Sequence, residues 1–227
     1  MHAFHKSLGR LSRVAQRLGT RLTSTFAPQP DWLKKKQAVD THFDTAHGVE
    51  TGGITELKRL ELAGDARDSV PHIASDPDEF HSAMGALGID FKRFTFVDVG
   101  AGKGRALLLA AGYGFKRIIG VEFARELVEV AQRNIRAARI TAPTNIVHAD
   151  ATKYELPEEP IVQFMYNPFG GNTMATVARR TRASFDKNPR PLHVVYVVPK
   201  ELDTWVEAGF VAERRDHYAI LRPATST

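Results

Sequence analysis

From residue 94 onward, short apolar runs alternate with stretches of helical periodicity. Phe94-Thr95-Phe96-Val97-Asp98-Val99 is a mostly apolar run carrying one acid, and it predicts a buried strand. Arg105–Tyr113 follows with six apolar residues from Ala106 to Ala111 and predicts a helix. Arg117–Glu122 predicts the second strand. In the helix expected over Ala124–Ala138, Leu127, Val130, Ala131, Asn134 and Ile135 recur at roughly helical spacing. Asn145–Asp150 and Ile161–Tyr166 predict two more strands. The nearly unbroken apolar run Leu192–Val198 predicts a strand covered on both faces. Glu201–Ala208 predicts a helix that Gly209 ends, and Phe210–Arg215 with His217–Leu221 predict an antiparallel hairpin. Alternation of this kind implies an α/β fold with a mainly parallel sheet.

Chemistry enters where the first strand meets its helix. Gly100, Gly102 and Gly104 stand at alternate positions. Backbone without Cβ can turn sharply there and let a ligand lie directly on the main chain. The helix N-terminus behind it offers free N–H groups, at the strand end where open α/β sheets bind ligands. A phosphate-gripping loop of the form G-x-x-x-x-G-K-[ST] is excluded, because Gly104 follows Lys103 and Val97 stands five residues before Gly102. A dinucleotide fingerprint fits at Gly100 and Gly102 but meets Arg105 where a small residue is required, which leaves a nicotinamide oxidoreductase as a distant reading.

The third pattern is an acid, then G-x-G-x-G, then a second acid closing the next strand. It describes a site for S-adenosylmethionine (SAM), which has no pyrophosphate to grip. Asp98 can accept from the ligand's ammonium, and Glu122, with Phe123 beside it, from the ribose hydroxyls. Asp150 is placed to accept from the adenine amine, with Ala149 and Ala151 near the ring. Each acid also precedes a helix or turn and would suit an N-cap. Three acids after three successive strands, beside a triple-glycine turn, favour the ligand reading.

Residues 94–199 resemble a class I SAM-dependent methyltransferase, the seven-stranded Rossmann-like family, with Phe96–Arg105 as its first motif, Glu122 as its ribose acid and Asp150 as its adenine-side acid. F-V-D-V-G-A-G-K-G-R, with G-V-E-F-A-R-E-L and Y-N-P-F-G, is similar to small bacterial methyltransferases of unassigned substrate and to protein-lysine methyltransferases. The resemblance implies a Rossmann-like, mainly parallel seven-stranded sheet with helices on both faces and a C-terminal antiparallel hairpin. It implies SAM as cofactor, bound by Asp98, Gly100, Ala101, Gly102, Gly104, Arg105, Glu122, Phe123, Asp150, Ala151 and Asn167. In relatives the region His47–Gly53 looks like a lid, which places Thr51 and Gly52 near the cofactor. An ordinary connecting loop is the other reading of that region.

Tyr166-Asn167-Pro168-Phe169-Gly170-Gly171 follows the fourth strand, where this fold presents its acceptor. Asn167 can accept from an incoming amine through its carbonyl oxygen, the Pro168 region can add a backbone carbonyl, and Phe169 or Tyr166 an aromatic surface. Amino-methylating relatives carry [DN]-P-P-[YF]. Here the motif is one proline short, which sets the chain apart from adenine and glutamine N-methyltransferases. Asn-Pro and Gly-Gly are also turn signals in their own right. The expected reaction is methyl transfer to nitrogen, a protein lysine ahead of a small-molecule amine. The alternatives are a small-molecule N- or O-methyltransferase, an RNA methyltransferase, and a non-catalytic SAM-binding partner subunit.

Composition refines the domain picture. The 227 residues are 43% apolar, enough for one α/β core. Residues 1–36 hold eight basic residues and one acid, so without them the formal net charge falls from +5 to −2. Basicity thus belongs to an N-terminal arm (1–36), ahead of a helical or lid segment (37–90) and the methyltransferase domain (91–227). In the arm Leu8, Leu11, Ala15, Leu18 and Leu22 line one helical face and Arg10, Arg13, Arg17 and Arg21 another. A helix for an anionic surface, RNA or a partner protein, a mitochondrial-type presequence, and a solvated helix packed on the domain are the open readings. There is no cysteine, no secretory apolar region, and no stretch long enough to span a bilayer. The expected location is cytoplasmic, or the mitochondrial matrix if residues 1–30 are a presequence. His42 and His47 lack a third nearby ligand, so no metal is expected.

Overall fold

The apolar runs become strands of a single seven-stranded sheet in a computed structural model that describes residues 30–57, 60–63 and 67–225. The amphipathic basic helix expected around residues 8–22 lies outside the described residues. Residues 30–38 open helix α1 (Asp31–His47), with Trp32 exposed and Lys34 paired to Asp31 across one turn. The remaining elements are α2 (Pro77–Gly85), β1 (Thr95–Val99), α3 (Arg105–Ala111), β2 (Arg117–Glu122), α4 (Arg125–Ala137), β3 (Thr144–His148) and β4 (Ile161–Tyr166). They continue through α5 (Gly171–Lys187), β5 (Leu192–Val197), α6 (Leu202–Glu207), β6 (Phe210–Arg214) and β7 (Tyr218–Pro223).

Strand order is β3-β2-β1-β4-β5-β7-β6. The first five strands are parallel, and β7 runs antiparallel between β5 and β6. The chain winds outward from β1 through β2 to β3, then returns to set β4 on the other side of β1. Loops leaving β1 and β4 therefore diverge, and this switch point is where a crevice opens in such sheets. Both faces of the sheet are covered, which is why β1, β4 and β5 read as apolar runs without clean alternation. On one face Phe96, Ile118, Phe164 and Val195 pack against Phe80 and Met84 of α2, Leu107 of α3 and Ala131 of α4. On the other, Val97, Val121, Met165 and Tyr196 pack against Met174 and Val177 of α5 and Trp205 of α6.

Two helices, α2 within the segment expected to be helical or a lid and α5, have bounds that the apolar pattern does not give. α2 has a plain start signal, because Asp76 accepts from the N–H groups of Asp78 and Glu79 and Pro77 follows it at the first helical position. Its apolar content is low, so the polar stretch up to Asp90 hides it. In α5, Met174, Val177, Ala178 and Thr181 form the buried face. Thr181 qualifies because its hydroxyl donates within the helix to Val177 O at 2.9 Å. Among the described residues no helix is long and apolar enough to cross a membrane, and no group of three or more His, Cys, Asp or Glu could hold a metal ion.

Candidate active site

The glycine turn is built from backbone that other residues rarely adopt. Gly100, Gly102 and Gly104 have φ of +84°, +54° and +87°. A Cβ on Gly102 would strike the His72 ring, and one on Gly100 would strike the Pro168 side chain. The turn is fastened to the next strand, since Gly100 N and Ala101 N donate to Val121 O at 2.9 and 3.1 Å. Glu122, 4% exposed, completes the fastening. One of its oxygens accepts from Gly102 N at 2.8 Å, and the other from Phe123 N and Ala124 N at 2.9 Å each.

Asp98 lies on β1, two residues before the turn, and is 3% exposed. It has no hydrogen-bond partner among the described residues. Burial pushes its carboxyl well above the usual carboxylate range, and the nearby Glu122 charge adds to the rise. Burial also pushes Glu122 up, against the pull of its three backbone N–H donors. Two buried carboxylates thus stand at the ends of adjacent strands, and among the described residues only Glu122 is hydrogen-bonded.

Asp150 sits past β3 in a tight turn, its Oδ1 accepting from Thr152 N and Thr152 Oγ1 at 2.8 and 2.7 Å. Ala149 N donates to Glu122 O at 2.9 Å, which draws Ala149–Ala151 to the end of β2. His148 Nε2 lies 3.0 Å from Phe123 O and closes the same corner.

Beyond β4 the polar atoms bond mostly to side chains. Tyr166 donates its hydroxyl to Glu79 of α2 at 2.9 Å. Burial raises the Tyr166 phenol far above its ordinary value, with the Glu79 charge acting in the same sense. Asn167 has φ +42°, and its Oδ1 accepts from the Tyr196 hydroxyl at 3.1 Å. Burial pushes the Tyr196 phenol up to about 12. Pro168 O accepts from Val70 N at 3.3 Å, and Phe169 is buried.

Arg105 and Thr51 meet in a buried polar network. The Arg105 side chain donates Nε to Thr51 Oγ1 at 2.6 Å, Nη1 to Asp40 Oδ1 at 2.5 Å and to Ser75 O at 3.3 Å, and Nη2 to Asp44 Oδ1 at 3.4 Å. Thr51 Oγ1 donates to Asp44 Oδ1 at 2.5 Å, and Thr51 N and Gly52 N both donate to Asp44 Oδ2 at 2.9 Å. Burial alone would raise the Asp44 carboxyl, but these donors and the Arg105 charge hold it below its ordinary value.

Sequence reasoning missed Asp40, Asp44, Glu79, Tyr196 and Asn134. Only the Asp40/Asp44 pair, one helical turn apart, left a trace in the sequence. Asn134 counts toward the helical spacing of α4, and its amide bonds Glu50 N, Glu50 O and Lys103 O, each at 2.9 Å.

A family model described as a methyltransferase domain matches residues 96–169, from the first glycine-motif strand through the turn after β4. Among solved structures, MtNAS in complex with S-adenosylmethionine superposes with a TM-score of 0.51 at 16% identity, covering 63% of this chain and 61% of that one. This chain therefore spans about three fifths of the length of that protein. An S-adenosyl-L-methionine-dependent methyltransferase assigned in Methanococcus maripaludis gives a TM-score of 0.51 at 14% identity, over 66% and 85% of the two chains. A protein of Pyrococcus horikoshii assigned as an RNA methyltransferase gives 0.50 at 16% identity, over 82% and 94%. At these identities the likeness carries the fold. Residues 96–169 thus match a methyltransferase domain, and the sheet around the glycine turn has the fold that those solved structures share.

Proposed function

We propose that this protein transfers the methyl group of SAM to a nitrogen acceptor, a protein lysine ahead of a small-molecule amine. The observation that carries the cofactor half is Asp98, a buried carboxylate with no hydrogen-bond partner among the described residues, beside glycines that leave no side chain above the backbone. Such a group favours a cationic ligand, since an unpaired buried charge is costly. In this reading Asp98 takes the ammonium, and Gly100, Ala101, Gly102 and Gly104 form the floor. Glu122 takes the ribose hydroxyls with Phe123 beside it, and Asp150 and Ala151 flank the adenine.

When bound, SAM supplies a sulfonium methyl that leaves by direct displacement. The chain's part is to orient the acceptor and exclude water. Asn167 keeps a carbonyl lone pair beyond the one facing Tyr196, Pro168 adds its backbone carbonyl, and Tyr166 and Phe169 add aromatic walls. An amine acceptor suits this lining because carbonyl oxygens orient its N–H groups. Glu79, held by the Tyr166 hydroxyl, gives the rim a negative charge that attracts a protonated amine.

The test is calorimetry of the full chain with SAM, its demethylated product and NAD, followed by a labelled-methyl screen of proteins, RNA and metabolites. Binding of SAM and product but not NAD supports the cofactor assignment, and label on protein lysine supports the acceptor. Label on RNA or on an oxygen of a metabolite would replace the acceptor, and NAD binding without SAM would replace the whole reading.

A further inference from the structure

The glycine turn carries two long cations, Lys103 and Arg105, at positions where a ligand lying on the turn could meet them. Both bond to the chain itself. Lys103 Nζ donates to Gly52 O at 2.9 Å and to Glu50 at 3.3 Å. Arg105, its side chain 1% exposed, uses four N–H···O contacts on Thr51, Asp40, Asp44 and Ser75. Phe43 covers its guanidinium at 4.7 Å. Four of its five N–H groups and one face are thus engaged within the chain.

The segment these cations hold runs across the turn. Gly52 packs so closely on α1 that a Cβ there would lie 2.6 Å from Asp40 Cβ. His72 Nε2 lies 3.4 Å from Thr51 O, and the same ring rests on Gly102. The Thr51 hydroxyl is the joint, accepting from Arg105 and donating to Asp44 at once. Valine has nearly the same shape and can do neither.

We infer that Arg105 is a positioning residue, which through the Thr51 hydroxyl holds Thr51-Gly52 and His72 over the glycine turn and so shapes the chamber for the amino-acid end of the cofactor. The inference rests on the SAM reading above. Cation and lid are then coupled across more than fifty residues of sequence, and Arg105 never touches the ligand.

Two ligands separate this from simple structural damage. SAM has an amino-acid end that lies against the turn, whereas 5′-methylthioadenosine lacks it and depends on Glu122, Phe123 and Asp150. Calorimetry on full-length Thr51→Val is expected to show SAM bound about tenfold or more weakly, with 5′-methylthioadenosine within about threefold of wild type. Thr51→Ser, which keeps the hydroxyl, is expected to restore SAM binding, and Arg105→Lys to behave like Thr51→Val. Unchanged SAM affinity in Thr51→Val overturns the inference, and so does an equal loss for both ligands. A wild-type chain that binds 5′-methylthioadenosine and not SAM also overturns it, and one that binds neither refutes the SAM reading itself.

Discussion

Glu122 and Asn167 stand at the same edge of the sheet, one closing β2 and the other following β4, yet they are held in opposite ways. Glu122 is gripped by three main-chain N–H groups, two of them from its immediate neighbours in sequence. Asn167 meets a side chain, the hydroxyl of Tyr196 from the neighbouring strand, and sits at a φ that few residues adopt. The side proposed for the cofactor is made of backbone and buried acids, and its geometry follows from local sequence. On the side proposed for the acceptor, side chains from α2, β4 and β5 converge from distant parts of the sequence. A shared cofactor requires the first kind of construction, and a particular acceptor requires the second.

Removing Glu122 tests that contrast most severely. Glu122→Ala leaves the N–H groups of Gly102, Phe123 and Ala124 without their acceptor, and SAM affinity is expected to fall by about 100-fold or more, given roughly 1.5–3 kcal/mol for each hydrogen bond to a charged group. Calorimetry checks this, and unchanged affinity takes Glu122 out of the site. Asn167→Ala is the mirror experiment. Turnover of the acceptor found in the methyl screen should drop by about 10–100-fold while SAM affinity stays within about twofold. Equal turnover would reduce the turn after β4 to architecture.

Asp98→Asn sharpens the comparison in the opposite direction. Removing an unpaired buried charge should stabilise the ligand-free protein by about 1–3 kcal/mol while weakening SAM. For a chain of this size that is several degrees in melting temperature. The same logic gives a pH dependence. The folded-state pKa values of Asp98 and Glu122 are both raised, so the folded protein binds their protons more tightly than the unfolded chain does. Their contribution to stability is present below the ordinary carboxylate range and is lost as pH rises through the folded values. SAM affinity should climb over the same window as Asp98 ionises, and Asp98→Asn should flatten that climb. A titration curve of identical steepness in the variant would contradict the assignment. The smallest effect belongs to Tyr166→Phe, which deletes one partly buried hydrogen bond to Glu79 and should cost about 1 kcal/mol in a thermal melt.

The glycine turn and the acids at its strand ends were legible in the sequence because local spacing sets them. Asp98, the three glycines and Glu122 are fixed by strand ends and a turn, which local spacing reveals. β4 was also readable, as an apolar run broken only by Gln163, and its following turn by the Asn-Pro and Gly-Gly signals. α5 was not, since its buried face includes Thr181, a polar residue whose hydroxyl is satisfied inside its own helix. Arg105 posed a harder problem. In sequence it looks like a residue of the glycine motif, and its partners Asp40 and Asp44 lie more than sixty residues away on a helix with no clean apolar stripe. Nothing local marks such a pairing. Glu79 and Tyr166 met the same obstacle across 87 positions.

The place of β7 sets a constraint on synthesis. Val194–Val197 of β5 bond on one side to β4 and on the other to Tyr218–Leu221. A nascent chain that has emerged only as far as Arg214 has made its whole parallel sheet and still shows one bare, strongly apolar edge to other polypeptides. Such an edge is a template for pairing with another chain. Ribosomes that stall between β6 and β7 should therefore yield aggregates rather than a soluble fragment, and the seam closes only when the last strand slides in beside β5.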